Sequence, residues 1–259
     1  MKSIILAGGL GTRLDLYTKN IPKCMLNFLD KPILQRQIDT YRKCGVNDII
    51  VVRKYLADKI NISGVKYYDE LDFNTHMVVG LFNARNEFND DIIMSYGDLL
   101  FEENVLNKVI KFEDEIGVVV DVDWKPYWKA RYGSINHDLE TLIINDNEIK
   151  SLGKQTDNPE DMNARYVGII KFSKNIIKEI ERIYDDSVKN YWDKPWYNSK
   201  SFKKAYMTDF LQAIIDSGVK IKPIIINKGW LEFDTNEDYE KVKIWVEEGT
   251  LNRFYSLKN

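Results

Sequence analysis

The feature that most constrains this chain is a strand that runs straight into glycine. Residues 2–7 (KSIILA) are short, apolar and partly β-branched, and Gly8, Gly9 and Gly11 follow at once. Such a run reads as a buried strand that must turn where the glycines stand. Pro32 then opens a helix over 32–44, with Ile33, Leu34, Ile38 and Tyr41 near helical spacing and Gly45 placed as a C-cap. Residues 48–53 (DIIVVR) make a second buried strand. Strand, helix and strand in so short a stretch imply a parallel crossover and an α/β fold.

The alternation continues. Short strands are expected at 65–68 and at 91–95, the latter ending in Tyr96-Gly97-Asp98. A helix capped by Thr75 is expected to run to 88, and another spans 103–114 before a strand at 116–122. The segment 124–165 is polar and aromatic, with a hairpin around Asn145-Asp146-Asn147 and loop composition at 154–163. A strand at 165–172, helices at 173–186 and 203–217, a strand at 219–227 and a helix over 236–247 complete the pattern. The stretch 185–202 reads as a lid or site wall rather than a linker, because Trp192 and Trp196 must pack on something. No internal repeat is visible, so residues 1–259 are expected to form one domain.

Composition narrows the function. Lys and Arg total 37 against 40 Asp and Glu, a net charge of −3. That balance supplies no electrostatic footprint for nucleic acid or an anionic membrane. The apolar run of the N-terminus is too short for a signal peptide or a membrane span, so a cytoplasmic protein is expected. Cys24 and Cys44 lack ligand-like spacing, and His76 and His137 have no partner for zinc.

The segment Leu6-Ala7-Gly8-Gly9-Leu10-Gly11-Thr12-Arg13-Leu14 is the strongest chemical signal. Glycines let a backbone approach a phosphate closely, and successive amides then form an anion cradle. A ligand-free turn is the plainer alternative. A Walker loop requires Gly-Lys-Ser/Thr where this chain has Gly11-Thr12-Arg13, and a dinucleotide fingerprint requires glycine where Leu14 stands. What matches is G-G-x-G-T-R-L followed by Pro22-Lys23, then Gly97-Asp98 at a strand end and Trp230-Leu231-Glu232-Phe233-Asp234-Thr235 before the last helix. On these motifs the chain resembles the sugar-nucleotidyltransferase family along its whole length.

The resemblance implies a doubly wound, Rossmann-like mixed sheet with a small acceptor-side subregion. The nucleotide half is then about 1–122, with acceptor-side insertions at about 124–165 and 185–209. It implies a nucleoside triphosphate held by Leu6, Ala7, Gly8, Gly9, Gly11, Thr12, Arg13, Lys23, Asn74, Thr75 and Gly97, and Mg²⁺ held by Asp98 and Asp234. Asn74 and Thr75 have a competing reading as a helix cap. Lys23 and Arg13 are the expected catalytic cations. Nucleotidyl transfer concentrates negative charge at the α-phosphorus, while the attacking phosphate oxygen is already ionised and needs no general base. Carboxylates are hard ligands suited to Mg²⁺.

Minimal length, with neither an appended domain nor hexapeptide repeats, resembles the branch of cytidylyltransferases that act on phosphocholine, 2-aminoethylphosphonate or phosphoglutamine. CTP follows from that branch resemblance alone, as does a place in making surface-polysaccharide or phosphonate precursors. A hexose-1-phosphate nucleotidylyltransferase is the alternative, and a non-catalytic nucleotide sensor a remote one. A monomer or homodimer is expected. For the acceptor, Trp124, Trp128, Trp192 and Trp196 can offer aromatic faces to an alkylammonium group, with Asp209 and Glu232 as acids and Arg131 or Arg165 for a carboxylate. Equally, these aromatics can be core packing.

Overall fold

The computed structural model describes residues 1–257. Its centre is a seven-stranded sheet in the spatial order Lys222–Ile226, Ile116–Asp121, Arg165–Phe172, Ile92–Tyr96, Lys2–Ala7, Asp48–Arg53, Lys66–Asp69. All neighbours pair parallel except Arg165–Phe172, which runs antiparallel to both of its partners. The strands are apolar on consecutive residues because both faces are covered. Ile5, Ile49, Val51 and Ile93 point into one core, while Ile4, Ile50, Ile92 and Met94 point into the other. This is the mixed, doubly wound α/β architecture that the motifs imply.

The helix Ile33–Lys43 buries Ile33, Leu34, Gln37, Ile38 and Tyr41, with Pro32 at its N-cap rather than inside it. Gly45 sits at φ 86°, the left-handed region that stops a helix most easily. The expected hairpin is present: Glu140–Asn145 pairs with Glu148–Gln155, and Asp146 and Asn147 take φ 51° and 58°. Two successive positive φ values match the right-handed twist of the strands they join.

Three expectations are corrected. The segment from 124, expected to be polar and aromatic with its first element a hairpin, opens instead with helix Trp124–Tyr132, which buries Trp124, Tyr127, Trp128 and Arg131. Their spacing is helical, Pro126 lies in the first turn where it is tolerated, and Gly133 closes the end at φ 73°. Helix Ile177–Tyr191 runs on into the stretch read as a loop from 185. Thr75 does not cap the next helix; His76 holds that position, and Met77–Asn83 is shorter than expected, followed by a separate 3-10 turn at Arg85–Glu87. No helix among the described residues is long and apolar enough to cross a membrane.

Candidate active site

The site is built where the first strand gives out. After Ala7 the chain passes Gly8, Gly9 and Leu10 to Gly11 at φ 65°, then enters a 3-10 turn over Thr12–Leu14. Leu14 is fully buried and anchors the turn. The Thr18 hydroxyl bonds the carbonyls of Gly11 and Leu14 at 2.8 and 2.9 Å, and a Cβ on Gly11 would stand 2.9 Å from Thr18 Cγ2. Only glycine suits that conformation and that gap. The amides of Gly8, Gly9, Leu10 and Gly11 have no hydrogen-bond partner among the described residues. They are free donors around an opening, as an anion cradle requires.

Two carboxylates reach the same opening from distant parts of the chain. The Gly97 amide donates to Leu6 O at 2.9 Å, and a Cβ there would stand 3.0 Å from that oxygen. The strand end Ile92–Tyr96 therefore abuts the first strand and delivers Asp98 beside the loop. Strand Leu99–Phe101 pairs antiparallel with Trp230–Glu232, and the Phe233 amide donates to Asp98 O at 3.1 Å. This ribbon brings Asp234 next to Asp98. Behind it, Asp238 completes a capping box with Thr235 and accepts from the Asp234 amide at 3.2 Å. Asp238 is also gripped by Arg131 at 2.9 and 2.7 Å, and Arg131 reaches Glu232 at 2.6 Å.

Lys23 joins the two carboxylates. Its Nζ lies 2.6 Å from Asp98 Oδ2 and 2.8 Å from Asp234 Oδ1, while Arg13 Nη2 lies 2.5 Å from Asp234 Oδ2. Burial by itself lowers a lysine pKa, but the two carboxylates outweigh it and hold the Lys23 ammonium above its ordinary value. Asp98 Oδ1 is buried without a hydrogen-bond partner. A buried carboxylate oxygen left open, beside a second carboxylate, fits a divalent cation whose remaining ligands come from phosphate and water. Among the described residues no cluster of three or more His, Cys, Asp or Glu could hold a metal ion, so the protein offers this pair.

Leu6, Ala7, Gly8, Gly9, Gly11, Thr12, Arg13, Lys23, Thr75, Gly97, Asp98 and Asp234 all line one cleft of about 520 Å³. Asn74 does not; it is exposed, and its amide donates to Asp72 Oδ1 at 2.8 Å. His76 and Met77 continue the loop from Asn74 and Thr75, which the sequence also marks for nucleotide contact, and Lys54, Glu70, Phe73, Gly80 and Tyr96 complete the cleft with Lys204 and Tyr206 from the segment 185–209. His76 lies edge-on to Tyr206, ring centroids 5.0 Å apart. Its pKa is lowered by burial and then by the charges of Lys54 and Lys204. In the sequence, the segment Asn74-Thr75-His76-Met77 is the signal for this wall; Lys54, Glu70 and Phe73 carry none.

The aromatic acceptor wall is corrected. Trp124 and Trp128 are 1% and 0% exposed and pack into the core behind the ribbon. Trp196 is buried against Phe202, with ring centroids 4.7 Å apart, and Trp192 packs on the same core. Asp209 is fully buried and accepts from Ser199 Oγ at 2.5 Å and from Asn198 at 2.9 Å. It caps helix Met207–Asp216 and does not line the cleft. Large apolar rings gain more from burial than an exposed wall could return. Arg165 is acted on by Glu232, Asp138 and Glu140, and burial raises Glu140 to about 7.

An amide-lined glycine loop at the carboxyl end of a parallel strand, facing a lysine and two carboxylates, suits the phosphates of a nucleotide, and by its family and relatives the protein is a nucleotidyltransferase. The MobA-like NTP transferase domain matches residues 3–158, and the chain belongs to that family. It is 33% identical to the CTP:phosphoglutamine cytidylyltransferase of Campylobacter jejuni over 93% of this chain and 98% of that one. It is 32% identical to the choline-phosphate cytidylyltransferase of Streptococcus pneumoniae, over 56% of this chain and 64% of that one. The solved structure of the CTP:phosphocholine cytidylyltransferase of Streptococcus pneumoniae shares the fold, with a TM-score of 0.72 at 20% identity, over 95% of this chain and 98% of that one.

Proposed function

We propose that the protein is a cytoplasmic, Mg²⁺-dependent cytidylyltransferase that moves CMP from CTP onto a small phosphorylated amino acid or amine, releasing pyrophosphate. The observation that carries this reading is Lys23 bridging Asp98 and Asp234 directly beside the free amides of the glycine loop. An acceptor phosphate oxygen attacks the α-phosphorus, the bond to the bridging oxygen of the β-phosphate breaks, and the electron pair leaves with pyrophosphate. Asp98 and Asp234 would hold Mg²⁺, which when bound would supply charge neutralisation at the phosphates. The loop amides and Arg13 bind the leaving phosphates, and Lys23 places a fixed positive charge where negative charge shifts during transfer.

CTP as donor rests on the relatives with cytidylyltransferase names. Phosphoglutamine is the favoured acceptor class, from the likeness to the CTP:phosphoglutamine cytidylyltransferase of Campylobacter jejuni over 93% of this chain. Glu232 suits an ammonium and Arg165 a carboxylate. The test is pyrophosphate release from four nucleoside triphosphates crossed with phosphoglutamine, phosphocholine, 2-aminoethylphosphonate and glucose-1-phosphate. Turnover of CTP with phosphoglutamine supports the reading. Efficient turnover of glucose-1-phosphate alone overturns it in favour of nucleotide-sugar synthesis.

A further inference from the structure

The far wall of the cleft holds a carboxylate that the transfer step does not use. Glu70 follows the edge strand Lys66–Asp69 and is 9% exposed, yet it lines the cleft. Its hydrogen bonds all fall on one oxygen: Lys54 Nζ donates to Oε1 at 3.0 Å, and the Thr75 hydroxyl bonds the same atom. Lys54 directs its other bonds to the carbonyl and hydroxyl of Thr75, at 2.9 and 3.2 Å. The three donors of the ammonium are thereby all engaged, and they fix the buried carboxylate in one orientation.

Oε2 has no hydrogen-bond partner among the described residues. It lies where two glycines omit a side chain, 3.2 Å from where a Cβ would stand on Gly80 and 3.9 Å from where one would stand on Gly8. Gly80 lies inside helix Met77–Asn83, where glycine is less favourable than alanine. A methyl group there would press on Oε2. Leu6, Val52 and Met77 line the same cleft. Apolar side chains, the bare Gly80 and one open carboxylate oxygen make a slot suited to a flat heterocycle with a hydrogen-bond donor on its edge.

We propose that Glu70 reads the base, its Oε2 accepting a hydrogen bond from the amino group at position 4 of cytosine. This rests on the cytidylyltransferase reading above and deepens it. With the triphosphate on the glycine loop and the acceptor beyond Asp98 and Asp234, the Glu70 end of the cleft is the side left for the base. Uracil and thymine carry a carbonyl oxygen at position 4, which would face the carboxylate acceptor to acceptor. A site that pairs a substrate N–H rejects the analogue lacking it by far more than shape alone allows.

The experiment compares CTP, UTP and pyrimidin-2-one ribonucleoside triphosphate, which has no 4-substituent, in wild type and Glu70→Gln. Wild type is expected to favour CTP over UTP at least a hundredfold in kcat/KM, and over the pyrimidinone at least tenfold. Glu70→Gln, whose amide can also donate, should lower the CTP/UTP ratio at least tenfold. An unchanged ratio in that variant overturns the role of Glu70 while leaving cytidylyl transfer intact. No pyrophosphate release from CTP by wild type overturns the cytidylyltransferase reading itself. Should Glu70→Gln not fold, calorimetric binding to wild type decides: equal affinity for CTP and the pyrimidinone overturns the inference, and a tenfold preference for CTP upholds it.

Discussion

Lys23 and Asp234 are 211 positions apart in sequence and 2.8 Å apart in space. No local propensity makes that contact. It exists because the 3-10 turn Lys23–Met25 and the ribbon strand Trp230–Glu232 both end at the carboxyl edge of the sheet beside the first strand. The buried ammonium there balances two carboxylates that would otherwise repel each other in a poorly solvated site.

Asp98 and Asp234 are the proposed cation ligands. Asp98→Asn and Asp234→Asn should each lower kcat by about a hundredfold or more, the scale of losing a charge-stabilising group at a reacting centre. Their far-ultraviolet circular dichroism should match wild type. Turnover of Asp98→Asn within threefold of wild type at saturating Mg²⁺ would falsify the assignment.

The two cations should separate kinetically. Lys23 is buried and fixed, whereas the Arg13 side chain is 62% exposed. Lys23→Met is therefore expected to lower kcat more than it raises the nucleotide KM, because its charge acts as negative charge shifts. Arg13→Ala should chiefly raise the nucleotide KM. Steady-state kinetics with CTP varied would show the split, and identical effects of the two substitutions would remove it.

Trp128 is a structural residue on this account. It is fully buried, its Nε1 donates to His137 O at 2.6 Å, and Arg165 lies 3.5 Å above its ring. Trp128→Ala should cost about 3–5 kcal/mol of stability, as large-to-small changes in a packed core do. Denaturant titration measures the loss. Full stability with a raised acceptor KM would return Trp128 to the acceptor site.

Glu87 should make the fold acid-sensitive. Burial pushes its carboxyl up, but hydrogen bonds from Lys2, Lys66 and Tyr68 more than reverse this and hold it at about 2. A carboxyl depressed in the folded state stabilises fully above its unfolded value of 4.5 and loses that contribution as pH falls toward about 2. The Tm difference between wild type and Glu87→Gln should thus be constant from pH 7 to about 5 and shrink below that. A difference as large at pH 3 as at pH 7 would count against the Glu87 cluster.

Local patterns were enough for much of the frame. Consecutive apolar residues at 2–7, 48–53 and 116–121 already say that both sheet faces are covered, since a half-exposed strand would alternate. Glycines after the first strand mark a turn, at which Gly11 takes a conformation only a bare backbone makes easily, and Asp146-Asn147 mark a hairpin. The helix Trp124–Tyr132 was legible too, through the helical spacing of Trp124, Tyr127, Trp128 and Arg131, but its aromatic and polar composition resembled a loop.

The tertiary structure alone decided which side chains face the cleft. Periodicity identifies an apolar stripe but not what covers it, so Trp124, Trp128 and Trp196 could be site wall or core until the ribbon and the helices were packed around them. Burying each ring outweighs presenting it to water, and the core took them. The same holds for Glu70. In the sequence it is one acid among many, with no motif around it. Only in the fold do Lys54 and Thr75 bind one of its oxygens and Gly8 and Gly80 leave room at the other, because contacts between separate strands and helices depend on topology, which local sequence does not encode.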